Sequence, residues 1–155
     1  MMDDMIRGLD DSQAVRVLTT FARVRLRAGG VAETEWTPEL DRALRQDFPA
    51  EADAGRAASV SEGDLARQAL LLLADDPQNR DALAALIEGP LPDKYEVVAA
   101  GTVALFAATL VVLQTHVLFE RDRDGKIHIK IEKKPTRDSL LKDLVQKLFG
   151  FFSPT

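Results

Sequence analysis

The sequence predicts an α+β domain that is mostly α. Three observations carry that prediction. Apolar residues recur at helical spacing through most of the first 90 residues. A run without charge extends from Val97 to Thr115. Two segments of strict alternation flank an Asp-Gly pair between about 116 and 132. The expected architecture is a helical N-terminal body, a central apolar helix, a C-terminal β-hairpin at about 116–132 and a terminal amphipathic helix. The 155 residues suit a single domain able to bury a real core. Within it we expect a helical segment at 1–48, a loop at 49–60, a helical core at 61–114 and a hairpin plus helix at 115–155.

Asp10 to Arg27 carries Ala14, Val15, Val17, Leu18, Phe21, Ala22, Val24 and Leu26 as a wide apolar stripe, which Gly29-Gly30 ends. Arg16, Arg23, Arg25 and Arg27 gather toward its C-terminal half, where cations complement the helix dipole. An anion patch is the functional alternative for them. Thr37-Pro38-Glu39 is a helix start, with a capping threonine, proline at the first helical position and an acid in the first turn. Leu40, Ala43, Leu44 and Phe48 would face inward, Trp36 would staple the cap, and Pro49 would end the element. Residues 49–60 are small, polar and rich in Gly and Ala, and read as a loop.

Ser61-Glu62-Gly63-Asp64 has the form of a capping box before Leu65, Ala69, Leu70, Leu72 and Leu73. Four consecutive leucines leave that helix apolar on nearly every side, so it should be well buried. Asp76-Pro77 opens another helix with Leu83, Leu86 and Ile87 inward, closed by Gly89-Pro90. The pair forms an αα-hairpin. The uncharged run after Tyr95 is either a central helix or a membrane span at 97–113. It barely reaches the ~20 apolar residues a span needs, and Ala, Gly101, Thr102 and Thr109 dilute it. The central helix is the favoured reading.

In the hairpin, a two-residue turn would place Phe119 against Lys130 and mix the faces. A three-residue loop, Arg123-Asp124-Gly125, pairs Val117 with Ile131, Phe119 with Ile129 and Arg121 with Ile127, and gathers the apolar side chains. The opposite face then pairs Glu120 with His128, and Lys126, His128, Lys130, Lys133 and Lys134 make a basic, polar surface. The acids Glu120, Asp122 and Asp124 before Gly125 imitate a calcium loop. Ile131 stands where the bidentate glutamate is needed, so the pattern fails as an EF-hand. His116, His128, Glu120 and Glu132 share a face by strand pairing alone, which makes a charge ladder the simpler reading than zinc. From Arg137 to about Phe152, Leu140, Leu141, Leu144, Val145, Leu148 and Phe152 form one stripe, and Phe149 and Phe151 fall outside it. The stripe is expected to cover the hairpin. The surplus makes Leu141, Val145, Leu148, Phe149, Phe151 and Phe152 the candidate interaction surface.

The block LQTHVLFERDRDGKIHIKIEKKPTRDSLLKDLVQKLF, behind the apolar helix, resembles short accessory proteins of bacterial conflict (defence) systems. Those are encoded beside regulatory NTPases and proteases and act as adaptors or constant components. The resemblance covers about the last third of the chain. It implies an adaptor role and carries over no functional residue.

Charge and motif content bound the rest. The net charge is −5, and from Gln114 onward nine Lys/Arg face six Asp/Glu, or +3, which leaves −8 for residues 1–113. Nucleic acid is therefore disfavoured, and no aromatic on the basic face offers stacking. There is no cysteine, hence no disulfide, thiolate nucleophile or Cys-ligated zinc. The opening MMDDMIRGLDDSQ is acidic and lacks a secretory apolar run. No Gly-rich phosphate loop, G-x-S-x-G or H-E-x-x-H occurs. We expect a non-enzymatic, cofactor-free, cytoplasmic interaction module, with a protein partner or a second copy as its ligand. The alternatives are a membrane-associated effector at the inner membrane, using 97–113 or the last helix, and nucleic-acid binding through the basic hairpin.

Overall fold

A computed structural model of the chain describes residues 2–28, 38–56, 60–89, 101–114, 117–121, 123–124, 127–131 and 138–151. Eight helices appear among them: α1 (Met2–Arg7), α2 (Asp11–Ala28), α3 (Pro38–Asp47), α4 (Pro49–Arg56), α5 (Glu62–Ala74), α6 (Pro77–Glu88), α7 (Gly101–Gln114) and α8 (Asp138–Phe151). The α+β expectation is corrected to a helical fold. Helix-on-helix packing builds the body, and α5 is its hub, in contact with α1, α2, α6, α7 and α8. Segments β1 (Val117–Arg121) and β2 (Ile127–Ile131) pair only with each other, antiparallel, with Val117 opposite Ile131 and Phe119 opposite Ile129. Two strands make a ribbon rather than a layer, and a ribbon of that size has no stability of its own.

Local chemistry explains the main helix ends. Asp10 Oδ1 accepts from the Gln13 amide at 2.7 Å, and Gln13 Oε1 accepts from the Asp10 amide at 3.2 Å. This reciprocal pair satisfies two orphan donors at the start of α2. Ser61 caps α5 through the Asp64 amide, and Asp76 caps α6 through the Gln78 amide with Pro77 at the first turn. The tight α5–α6 corner also closes from the far side. Asn79 Nδ2 donates to the Leu73 carbonyl at 3.1 Å and Arg80 Nε to the Ala74 carbonyl at 2.9 Å, so α6 side chains serve the last carbonyls of α5.

The core follows from the four leucines. Leu70, Leu71, Leu72 and Leu73 are all buried, because α5 has neighbours on nearly every side. Helix α7 lies against α2 and α5 and buries Leu105, Ala108 and Leu110 to Leu113. Its Thr109 is fully buried and satisfies its hydroxyl on the Leu105 carbonyl at 2.8 Å. Among the described residues no helix is long and apolar enough to cross a membrane.

Two further expectations are corrected. The 49–60 loop contains helix α4, and Pro49, which follows the end of α3 at Asp47, also opens that helix. Phe48 joins the two: its amide donates to the Leu44 carbonyl, its carbonyl accepts from the Ala52 amide, and its side chain is buried. The terminal helix does not have the hairpin as its main partner. Helix α8 packs on α4 and α5, while the helical neighbour of β2 is α3.

Candidate functional site

The apolar side chains of α8 are core. Leu141, Val145, Leu148 and Phe149 are buried, which corrects their reading as an exposed interaction surface. Phe149 is 2% exposed although it lies off the main stripe. The reason is geometric: a helix wedged between two others buries a wider arc than one stripe. Gly55 of α4 makes room for it. A Cβ at Gly55 would stand 2.5 Å from the Gln146 carbonyl oxygen and 2.7 Å from Phe149 Cβ, so only glycine permits this crossing. The Arg45 guanidinium lies over the Phe149 ring, 5.1 Å from its centroid, a cation–π contact that α3 adds. Phe151 is half-buried against the same core, and Phe152 lies outside the described residues.

The basic hairpin face is only partly described. His128 and Lys130 lie in β2, paired with Glu120 and Leu118. Lys126, Lys133 and Lys134 lie outside the described residues, as do the Gly125 turn position, the Thr37 cap and Trp36. Among the described residues no three His, Cys, Asp or Glu side chains stand close enough to hold a metal ion.

The structure brings together a different set. Arg7 of α1, Asp64, Arg67, Gln68 and Leu71 of α5, and Lys147 of α8 line an open cleft of about 270 Å³. The four α5 residues fall at i, i+3, i+4 and i+7, one face of that helix. Arg67 organises the cleft wall. Its Nη1 donates to the Leu9 carbonyl and to Asp11 Oδ1, both at 2.9 Å, and its Nη2 to Asp64 Oδ1 at 2.8 Å. One guanidinium thus ties the α1–α2 corner to α5. Gln68 is almost fully buried, and its amide nitrogen reaches the Leu140 carbonyl at 3.4 Å, a long bond. Arg7 and Lys147 form no ion pair among the described residues.

Electrostatics in the cleft follow this wiring. The hydrogen bond from Arg67 holds the Asp64 carboxyl below the usual carboxylate range; partial burial opposes it, and Ser61 adds to it through its backbone and hydroxyl. Burial works against the Arg67 charge, but the bonds to Asp64 and Asp11 outweigh it and hold the guanidinium more firmly protonated. Comparison with protein-family models, curated proteins and solved structures finds no match for the chain.

The cleft escaped sequence reading for a plain reason. Arg7, the α5 stripe and Lys147 are separated by more than fifty residues at each step. The one local signal is the D-x-x-R-Q-x-x-L spacing on α5, where Asp64 also fits a capping box.

Proposed function

We propose that the chain is a non-catalytic protein-interaction module, an accessory component that works by holding a partner. The observation that carries this reading is the cleft. It is open, it is built from three separate helices, and Arg7 and Lys147 in its lining have no ion pair among the described residues. A recognition surface needs such groups, with charge left for a partner. The pKa shifts point the same way. Asp64 moves down and Arg67 moves up, so both are driven further into their charged forms. A catalytic acid or base is instead tuned toward the working pH. The adaptor element of the reading, and its setting in a bacterial defence system, rest on the sequence resemblance of the last third.

Affinity capture tests the proposal. The wild-type chain and an Arg7→Glu/Lys147→Glu variant serve as baits in the native host, with quantitative mass spectrometry of what is retained. Sedimentation velocity on each covers a second copy as partner. The expected result is a protein, or self-association, retained by the wild type and lost in the variant. Wild-type chain that captures nothing above the control and sediments as a monomer would refute the module.

A further inference from the structure

We infer that the cleft receives a carboxylate-rich segment of a partner protein, with an apolar side chain placed beside the carboxylates. This deepens the protein-binding reading above and rests on it. Three features converge. The chain carries a net −5, yet the described residues that line the cleft comprise three cations against one carboxylate, Asp64. An acidic chain repels anions over most of its surface, so a local basic cleft both attracts an anionic segment and fixes where it lands. Arg67 is already committed to Leu9, Asp11 and Asp64. Among the described residues the charges left for a ligand are therefore Arg7 on α1 and Lys147 on α8, on two different helices of the cleft. Leu71 and Gln68 complete the lining, and the Gln68 amide nitrogen has only a long bond, 3.4 Å to the Leu140 carbonyl, to exchange for one to a carboxylate.

The same features select among anions. Asp64 lines the cleft and Asp11 bonds the same guanidinium, so a densely charged phosphate would meet the Asp64 carboxylate with much of the Arg67 charge already matched. A singly charged carboxylate between two separate cations meets less repulsion. Among the described residues no aromatic lines the cleft, so none of them would stack a base. The apolar floor at Leu71 favours a segment that alternates acid and leucine over a uniformly acidic one.

The test uses the full chain and a short fluorescein-labelled peptide of alternating glutamate and leucine, read by anisotropy at low salt. Saturable binding is expected. Each of Arg7→Glu and Lys147→Glu should weaken it about tenfold, the size of one like-charge contact replacing an attractive one. A peptide with glutamine in place of glutamate should not bind, and physiological salt should weaken binding several-fold through screening. Circular-dichroism melts confirm that both variants stay folded; Arg7 is exposed and Lys147 half-buried, and neither anchors the core. The inference falls if the glutamine peptide binds equally, or if the double charge reversal leaves affinity unchanged. It falls also if inorganic phosphate displaces the peptide more readily than free glutamate does. Host partners captured equally by wild type and double reversal, with no peptide binding, would leave the module standing and remove the acidic segment. Charge-dependent peptide binding with no captured partner and no self-association would do the reverse.

Discussion

Phe149 and Arg67 each fasten a terminal helix to the body, the first by excluding water and the second by charged hydrogen bonds. At the α4–α8 crossing, Gly55 lets two backbones approach until an added Cβ would stand 2.5 Å from a carbonyl oxygen. Phe149 fills the space beside it, and Arg45 covers the ring. At the other end, α1 has the buried Ile6 as its apolar anchor, and the α1–α2 corner hangs on the Arg67 guanidinium. The carboxylates there are half in water: the Asp11 side chain is 57% exposed and that of Asp64 49%. The contrast predicts different strengths and different sensitivities. Packed contacts are strong, indifferent to salt and intolerant of volume change. Exposed ion pairs are weak and respond to salt and pH.

The largest effect is expected at the packed end. Phe149→Ala removes a buried ring from between α3, α4 and α8, and should cost about 3–5 kcal/mol, the range for such cavities. Urea unfolding checks this: the midpoint should fall and the slope stay constant. A loss below about 1 kcal/mol would mean that α8 is not held by that ring. Gly55→Ala sharpens the point, because intrinsic helix propensity favours alanine by about 1 kcal/mol. The collision with Gln146 and Phe149 should reverse that preference and destabilise by about 1–3 kcal/mol. Stabilisation by Gly55→Ala would show that the crossing is looser than its geometry.

This crossing also shows where the sequence was legible. The α2 stripe and the four leucines of α5 could be read because one helix and one buried face explain them. The capping residues Ser61 and Asp76 could be read because a cap acts within three residues. The PAEADAGR sequence of helix α4 reads as a loop because it lacks a large apolar side chain. It needs none. Ala52 and Gly55 are small so that α8 can come close, and the burial that pays for the helix is supplied by Phe149 from the other side. The same Pro-then-acid signature that marks 38–39 recurs as Pro49 and Glu51, and was the available signal. Phe149 reads as a surface residue for the same cause: a stripe counts one neighbour, and α8 has two. The cleft was invisible in the sequence because its walls meet only after folding.

At the polar end, Arg67→Met keeps the length and apolar stem of the side chain and deletes its hydrogen bonds. The Leu9 carbonyl loses a partner and two carboxylates lose their cation. With the carboxylates this exposed, the expected cost is about 1–2 kcal/mol, well short of Phe149→Ala. High salt should shrink the gap between wild type and Arg67→Met and leave that between wild type and Phe149→Ala unchanged. Equal salt response in the two variants would erase the distinction between the two ends.

The smallest effect is the most specific. The Asp64 carboxyl titrates below its ordinary value in the folded chain, chiefly through the hydrogen bond from Arg67. A depressed folded value means that folding favours the ionised form. The resulting stability is present above the unfolded-state value of 3.8 and is lost as pH falls from there through the folded value. Asp64→Asn removes this titration while its backbone amide can still donate to the Ser61 hydroxyl. Unfolding free energies measured from pH 5 downward should therefore fall more steeply for wild type than for Asp64→Asn, with the curves converging at the acid end. The difference should stay well under ~1 kcal/mol, because half the Asp64 side chain is in water and solvent screens the pair. Arg67 does not titrate in that range, since its neighbours hold it protonated, so the acid limb isolates the carboxylate. Parallel curves across the whole range would mean that Asp64 and Arg67 are neighbours without being coupled, and that the guanidinium holds the α1–α2 corner through Leu9 and Asp11 alone.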